Sequence, residues 1–206
     1  MTPKEIRQIS IQTVKSLGLN MPDRLPTLEG LELRDVGEII GRTLGMCIVS
    51  ATAYGLSRST AIEWLNREAL TNFLSARERR FILSETGCVE PFKTQIEGIW
   101  ALAWELGLIE NFEFDRSCDS DFVTIFPDFK SGEDSKAFQS KVSLRTYDEI
   151  CRALDLAYCI HWCIRQASLT NATVPPTIRP YIVVERRRAL EWTLSKQNWD
   201  DIALDT

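Results

Sequence analysis

Apolar residues recur at intervals of three and four positions along most of the chain, which is the spacing that buries one face of an α-helix. The longest such pattern begins where Asp35 and Glu38 form a capping-box sequence, and it continues until Gly55. A second long pattern covers residues 147–168. The sequence therefore predicts two long helices, one ending at Gly55 and one over 147–168.

Helix-start signals predict three shorter helices. Thr2 followed by Pro3 marks a helix that ends at Gly18, because proline is favoured in the first turn of a helix. The capping-box pattern recurs twice more, at Thr60 with Glu63 and at Ser75 with Glu78. Prolines and a glycine between residues 19 and 33 rule out regular structure there, so we expect an extended connection.

Residues 92–106 are apolar over most of the helix circumference and are followed by Gly107, which predicts a central buried helix. A proline-rich loop precedes a last helix over 181–196. Residues 108–142 give no clear assignment, and 122–126 fits either a short strand or a helical turn. We predict an all-α fold in which residues 1–206 form one globular domain with two long helices, a central apolar helix and a packed C-terminal helix.

One internal similarity links the starts of the two long helices. The segment Leu33-Arg34-x3-Glu38-Ile39 is matched by Leu144-Arg145-x3-Glu149-Ile150. Two independent helices could have adopted the same capping box. Alternatively, a helical unit was duplicated, which would place the two long helices in related positions.

His161 is the one histidine of the chain, and it lies on the apolar face of the second long helix. Glu185 occupies the same kind of position on the last helix. Because an unpaired buried polar group is costly, we predict that these two side chains pair with each other. The pair either fixes the helix register or forms a site in which Glu185 orients His161 as a base or as a metal ligand.

Other polar and aromatic residues extend the list of candidates. Two basic runs are expected to be solvated helix faces, or else to clamp an anion: Arg77, Arg79 and Arg80, and Arg186, Arg187 and Arg188. Helical position predicts three core tryptophans, Trp100, Trp104 and Trp192. Candidates for a recognition surface are Trp64, Trp162 and Trp199. The acids Asp200 and Asp201 fit a helix cap, or a ligand contact as part of a cluster with Asp205.

Composition narrows the class of protein. The chain has 206 residues, a hydrophobic content of 44% and a formal net charge of -5, so we expect a globular protein that does not bind nucleic acid. No run approaches the roughly 18 apolar residues of a membrane helix, and the N-terminus does not resemble a secretion signal, so a cytoplasmic location is expected. The cysteine spacing predicts free thiols, and no motif indicates a metal or another cofactor.

Seven segments from nearly the whole length of the chain form a recognisable combination. They are Leu25-Pro26, Leu33-Arg34-x3-Glu38-Ile39, Leu74-Ser75-x2-Glu78, Glu97-x2-Trp100-x3-Trp104-x2-Gly107, Tyr158-x2-His161-Trp162, Glu185-Arg186-x2-Ala189-Leu190-x-Trp192 and Trp199-Asp200-Asp201-x3-Asp205-Thr206. They resemble a bacterial family known as domain of unknown function number four-two-seven-two. Where that family reads Trp-Arg-Tyr, this chain has Thr94-Gln95-Ile96. The resemblance implies one helical domain in the bacterial cytosol and no established activity. It marks as matching the family pattern His161, Glu185, Arg186 and the terminal aspartates.

Two functions follow from these observations. The first is a non-enzymatic protein-interaction domain, regulatory or toxin-neutralising, because the chain is acidic and rich in tryptophan and arginine and has no catalytic motif. The alternative is an enzyme or small-anion-binding protein with a site around His161, Glu185 and Arg186. Further ligand contacts would come from Tyr158, Trp162, Asp200 and Asp201. The alternative requires an open pocket that reaches both His161 and Glu185.

Overall fold

A computed structural model of the chain describes residues 1–22, 24–84 and 88–204. The predicted all-α class is confirmed, and the described ranges contain no strand. The helices are α1 (Pro3–Ser16), α2 (Val36–Ala53), α3 (Arg58–Arg67), α4 (Ala76–Leu83), α5 (Glu90–Thr94), α6 (Ile96–Glu105), α7 (Lys136–Gln139), α8 (Tyr147–Thr170) and α9 (Pro180–Thr193). Short 3-10 turns form at Thr71–Phe73, Phe122–Ile125 and Trp199–Asp201. The candidate residue Asp205 and its neighbour Thr206 lie outside the described residues.

Most of the predicted helix starts are confirmed, because a cap depends on neighbouring residues alone. Thr2 caps α1, and Ser75 forms a reciprocal capping box with Glu78 at α4. The prediction for α3 was displaced by one turn, since Ser57 rather than Thr60 accepts the hydrogen bond that caps the helix. The chain before α2 is extended, as predicted, and residues 122–126 contain a helical turn rather than a strand.

The predicted central helix is present, but it is divided. It bends at Gln95, so that α5 and α6 replace one continuous helix over 92–106. Gly107 ends α6 with a φ of +72°, and a Cβ at this position would lie 2.2 Å from the carbonyl oxygen of Ser143. Glycine is therefore required where the chain leaves the core helix.

Helices α6 and α9 form a parallel pair at the centre of the domain. Near their N-termini Arg186 donates to Glu97 at 2.6 Å, and near their C-termini Thr193 donates to Glu105 at 2.6 Å. The two helices are in contact at Gly98, where a Cβ would lie 3.4 Å from the Glu185 carbonyl oxygen. Helix α2 packs against α6, α8 packs against α9, and α1 covers α8.

The start of α2 docks on the end of α9 through Arg34. Its guanidinium lies 4.3 Å from the ring centre of Trp192, and Nε donates to the Trp192 carbonyl at 2.7 Å. Nη2 donates to the Gln197 carbonyl and Nη1 to the Glu38 carboxylate. The backbone amide of Arg34 donates to the carbonyl of Thr193. One side chain thus ties two distant helix ends together.

The start of α8 docks on the end of α6 in the same way. Arg145 lies 4.7 Å from the ring centre of Trp104, and Nε donates to the Trp104 carbonyl at 2.8 Å. Nη2 donates to the Ile109 carbonyl, Nη1 to Glu149, and the backbone amide to the Glu105 carbonyl. The two arginines make the same kinds of contact with a tryptophan ring and with backbone carbonyls, which a shared capping box alone does not require. This similarity favours the duplication of a helical unit.

The helices on which these arginines dock share a second sequence similarity. The segment Glu97-x3-Ala101-Leu102-x-Trp104-x-Leu106 is matched by Glu185-x3-Ala189-Leu190-x-Trp192-x-Leu194. Each unit therefore consists of an arginine-led long helix and a tryptophan-ended helix. In the domain the arginine of each unit contacts the tryptophan of the other.

Helix α2 has the length and hydropathy of a membrane-spanning helix, and it is the one helix within the described ranges that does. It is nevertheless 72% buried inside the domain. Its apolar residues form part of the main core, among them Ile39, Leu44, Met46 and Ile48.

Candidate functional site

His161 faces the core as predicted, but its predicted pairing with Glu185 is wrong. Nδ1 of His161 accepts a hydrogen bond from Arg187 at 2.8 Å. The same guanidinium donates twice to Glu191 and lies over the ring of Tyr158. Burial first, and the Arg187 charge second, lower the pKa of His161 to about 4. The imidazole is therefore neutral near pH 7, and its Nδ1 lone pair is occupied.

The register of α9 explains the incorrect pairing. Residues two apart on a helix point in nearly opposite directions, so Glu185 and Arg187 cannot face the same neighbour. Arg187 faces α8 and His161, whereas Glu185 lies beside Arg188, with 4.0 Å between Nε and the carboxylate. Both faces of α9 are packed and both carry polar residues. The sequence pattern does not say which polar residue meets His161.

Arg186 is fully occupied within the core. It donates twice to Glu97 and also to the backbone carbonyls of Glu113 and Arg116. Its side chain is 1% exposed, so the expectation of a solvated run is wrong for Arg186 and for the buried Arg187. The other basic run, at residues 77, 79 and 80, is exposed as expected. The structure does not bring Arg186 together with His161 and Glu185.

The tryptophans are more buried than the sequence suggests. The core positions of Trp100, Trp104 and Trp192 are confirmed. The expectation of surface positions was wrong for Trp64 and Trp199, which are 1% and 7% exposed. Trp162 is half-buried beside Tyr158, with 6.5 Å between ring centres. Aromatic area therefore contributes mainly to the core.

A large cavity lies where Arg34 meets the C-terminal turn. It has a volume of about 470 Å³. Its lining comes from the start of α2, the chain around α4 and the C-terminal turn, and includes Arg34, Glu38, Arg42, Ser75, Trp192, Gln197, Asn198, Trp199, Asp200 and Asp201. We call this cavity the Trp192–Trp199 pocket. It contains two of the predicted ligand contacts, Asp200 and Asp201.

The arginines of the Trp192–Trp199 pocket are already paired. Arg34 makes the docking contacts described above, and Arg42 lies 4.1 Å from the ring centre of Trp199. Arg42 donates to both carboxylate oxygens of Glu78, whose side chain is completely buried. Two acids at the rim, Asp200 and Asp201, are by contrast exposed, while Glu38 is partly buried and pairs with Arg34. The accessible charge of the pocket is therefore negative.

A smaller cavity of about 120 Å³ adjoins this pocket and shares Ser75, Trp199 and Asp200 with it. We call it the Glu185 pocket, because Glu185 and Gln95 line it. Burial raises the pKa of the Glu185 carboxyl, while nearby arginines oppose the rise. Glu185 thus lies next to Asp200, and away from His161, in this part of the domain.

Comparison with known proteins identifies the family. Residues 6–202 match the family described as Domain of unknown function (DUF4272). The chain belongs to this family. No curated protein and no solved structure matches it.

In this DUF4272 domain the contact between Arg145 and Trp104 also adjoins a cavity. Around Arg145 and Trp104 lies a volume of about 340 Å³, which α1 lines with Ile9 and Thr13. Phe112 covers the ring of Trp104 at a centroid distance of 4.6 Å. The two cavities share an arginine, a glutamate and a tryptophan, and the second adds the aromatic rings of Phe112 and Phe114 beside the charged residues Glu110 and Arg152. Only the similarity between Arg34 and Arg145 could have indicated this pair of cavities from the sequence.

The three cysteines of α8 are buried in the domain. Burial raises the pKa of the Cys159 thiol to about 12, and Cys163 is also buried. Within residues 1–22, 24–84 and 88–204, no group of three or more metal-binding side chains converges. The arrangement that the structure offers is a polar, aromatic pocket suited to binding.

Proposed function

We propose that this chain is a non-enzymatic protein-interaction domain that binds a basic segment of a partner protein in the Trp192–Trp199 pocket. The proposal rests on a difference between the basic and the acidic residues of the pocket in whether they already have partners. Arg34 and Arg42 are held by carboxylates and carbonyls, whereas the rim acids Asp200 and Asp201 are exposed and form no ion pair within the described residues. Lysine and arginine side chains are the complementary groups in a partner, and the net charge of -5 favours their approach.

The size and chemistry of the pocket suit a short peptide. Its volume of about 470 Å³ is within the range of roughly 300–1,000 Å³ that is usual for ligand pockets. Two tryptophans form part of its surface, with ring centres 5.9 Å apart. The amides of Gln197 and Asn198 add groups that can donate to and accept from a peptide backbone. Tryptophan and polar groups together are typical of binding hot spots.

The separation of His161, Glu185 and Arg186 counts against the enzymatic or anion-binding alternative. Arg187 occupies Nδ1 of His161, and Glu97 occupies Arg186. An anion would have to displace a buried carboxylate from Arg186, which is costly. We expect the interaction in the cytosol, as the sequence predicts, and in bacteria, as the family resemblance implies.

The test is selection of peptides from a random display library on the immobilised full chain. The selected peptides should be enriched in lysine and arginine, and their binding should weaken at least ten-fold in Asp201→Arg. Asp115→Arg makes the same charge change at an exposed residue that does not line the pocket, and it should retain binding within two-fold. Selection of acidic or purely apolar peptides, or equal losses in both variants, would show the proposal to be wrong.

A further inference from the structure

We infer that the Glu185 pocket holds the guanidinium of an arginine in the bound segment. This inference rests on the proposed function, since it assigns one subsite beside the Trp192–Trp199 pocket. The two cavities share the wall made by Ser75, Trp199 and Asp200. A peptide in the larger pocket could therefore extend one side chain into the smaller one.

The first observation behind the inference is an acceptor that lacks a donor. Gln95 lines the Glu185 pocket and is 8% exposed, and its Oε1 is buried with no hydrogen-bond partner in the described part of the chain. The amide orientation is fixed, because Nε2 donates to Glu78 at 2.9 Å. A buried acceptor without a donor is unfavourable. A ligand that donates at this place would remove that penalty.

The second observation is the Glu185 carboxylate itself. Its side chain is 18% exposed, and the two arginines that act on it electrostatically are Arg77 and Arg188, of which Arg188 approaches to 4.0 Å. That distance is too long for a hydrogen bond. Arg188 instead donates to the carbonyl of Ile202. Two acceptors in one small cavity, Gln95 and Glu185, thus lack donors together.

An arginine head group fits these requirements better than other side chains. A guanidinium carries five N–H donors in one plane, so it can donate to a carboxylate and an amide oxygen at once. Trp199 lines the cavity and offers an aromatic surface for the same group. The cavity volume of about 120 Å³ is below the roughly 300 Å³ of ordinary ligand pockets, which favours a head group over a whole small molecule.

The positive residues at the cavity do not exclude an arginine ligand. Arg77 and Arg188 line the cavity together with the acids Glu185 and Asp200, so the charges offset one another. The preference for an arginine therefore depends on the two acceptors that lack hydrogen-bond donors, rather than on the net charge of the cavity. Arg77 is exposed, and its side chain can extend into solvent.

The experiment is an NMR titration of the full chain with N-acetyl-arginine amide and with N-acetyl-norleucine amide. The arginine compound should shift the side-chain amide of Gln95 and the indole N–H of Trp199 saturably, and the norleucine compound should not. Glu185→Gln should weaken arginine binding at least ten-fold. Asp201→Asn, which removes one charge from the adjoining pocket, should change it less than two-fold.

Equal shifts from both compounds, or binding by Glu185→Gln within two-fold of the original, would overturn the inference. If Glu185→Gln does not fold, Gln95→Met provides the second variant, and unchanged arginine binding there would also overturn it. The two proposals can fail separately. Basic peptides that bind Glu185→Gln normally would refute this subsite alone, while arginine binding without any selected peptide would refute the peptide site alone.

Discussion

Glu97 and Glu185 occupy matching positions in the two units, yet their surroundings differ. Glu97 is 2% exposed and receives two hydrogen bonds from Arg186. Glu185 is 18% exposed, receives no hydrogen bond within the described ranges, and lines a cavity. The first carboxylate holds α6 and α9 together, whereas the second is available to a ligand.

The same difference separates the two cavities at the docking arginines. At Trp104 the cavity is lined by α1 and by Phe112, which stacks on the indole. At Trp192 the neighbouring ring is Trp199, at a wider angle of 62°, and exposed acids form the rim. The two arginine–tryptophan contacts thus have similar frameworks and different surroundings. We place the proposed function at Trp192, where the exposed acids Asp200 and Asp201 form no ion pair within the described residues.

The largest loss of stability should come from removing Glu97, which is the more buried of the two matching glutamates. Glu97→Ala leaves the Arg186 charge buried without its carboxylate, so the free energy of unfolding should fall by about 3–5 kcal/mol. Chemical denaturation monitored by circular dichroism measures this loss. A decrease below about 1 kcal/mol would mean that the ion pair does not hold α6 against α9.

The stability of the protein should depend on pH because of Glu105, which lies where the C-terminal ends of α6 and α9 meet. Burial raises the pKa of Glu105 from 4.5 to about 8, although the Thr193 hydroxyl favours the charged form. The folded protein therefore keeps a proton that the unfolded chain releases near its ordinary pKa. Stability from this group is fully present below about pH 4.5 and is lost as the pH rises through about 8.

Glu105→Gln stays neutral at every pH and should remove this dependence. Relative to the variant, the original protein should lose a few kcal/mol between pH 5 and pH 9, because one pKa unit corresponds to about 1.4 kcal/mol. Denaturation curves at several pH values test this. Glu63→Gln, at an exposed position of α3, provides the control and should not alter the pH profile. Parallel profiles for all three proteins would contradict the prediction.

The matched docking arginines should contribute similar amounts of stability. Arg34→Leu and Arg145→Leu each remove hydrogen bonds to carbonyls and the contact with an indole ring, which together contribute about 2–3 kcal/mol. Thermal unfolding of both variants, compared directly, measures the two losses. A negligible loss in one variant and a large loss in the other would break the proposed equivalence of the units.

The parts of the fold that were predictable are those that neighbouring residues determine. The caps at Thr2 and Ser75 and the stop at Gly107 depend on a few adjacent positions, and each was found as predicted. The bend at Gln95 was not predicted, because apolar residues continue through it without a proline or glycine to mark it. Local sequence signals therefore predicted where helices begin and end better than where a helix is interrupted.

The candidate site depends on long-range register, which the sequence pattern does not contain. Helical periodicity placed His161 and Glu185 toward the interior, but it could not show that Arg187 would meet His161 instead. The partner of Arg186 is Glu97, 89 positions away, and no local signal links them. Asp200 and Asp201 were identified as candidates, and both line the Trp192–Trp199 pocket.

The smallest stability effect should come from Glu185. If Glu185 formed a buried pair with His161, Glu185→Gln would destabilise the protein by several kcal/mol. The structure instead gives it one loose contact with Arg188 and a raised pKa due to burial, so a neutral glutamine should change the unfolding free energy by less than about 0.5 kcal/mol. Denaturant titrations of Glu185→Gln and Glu97→Gln under the same conditions compare the two losses of stability directly. A large loss at position 185 would mean that this carboxylate, like that of Glu97, has a structural role that excludes a ligand.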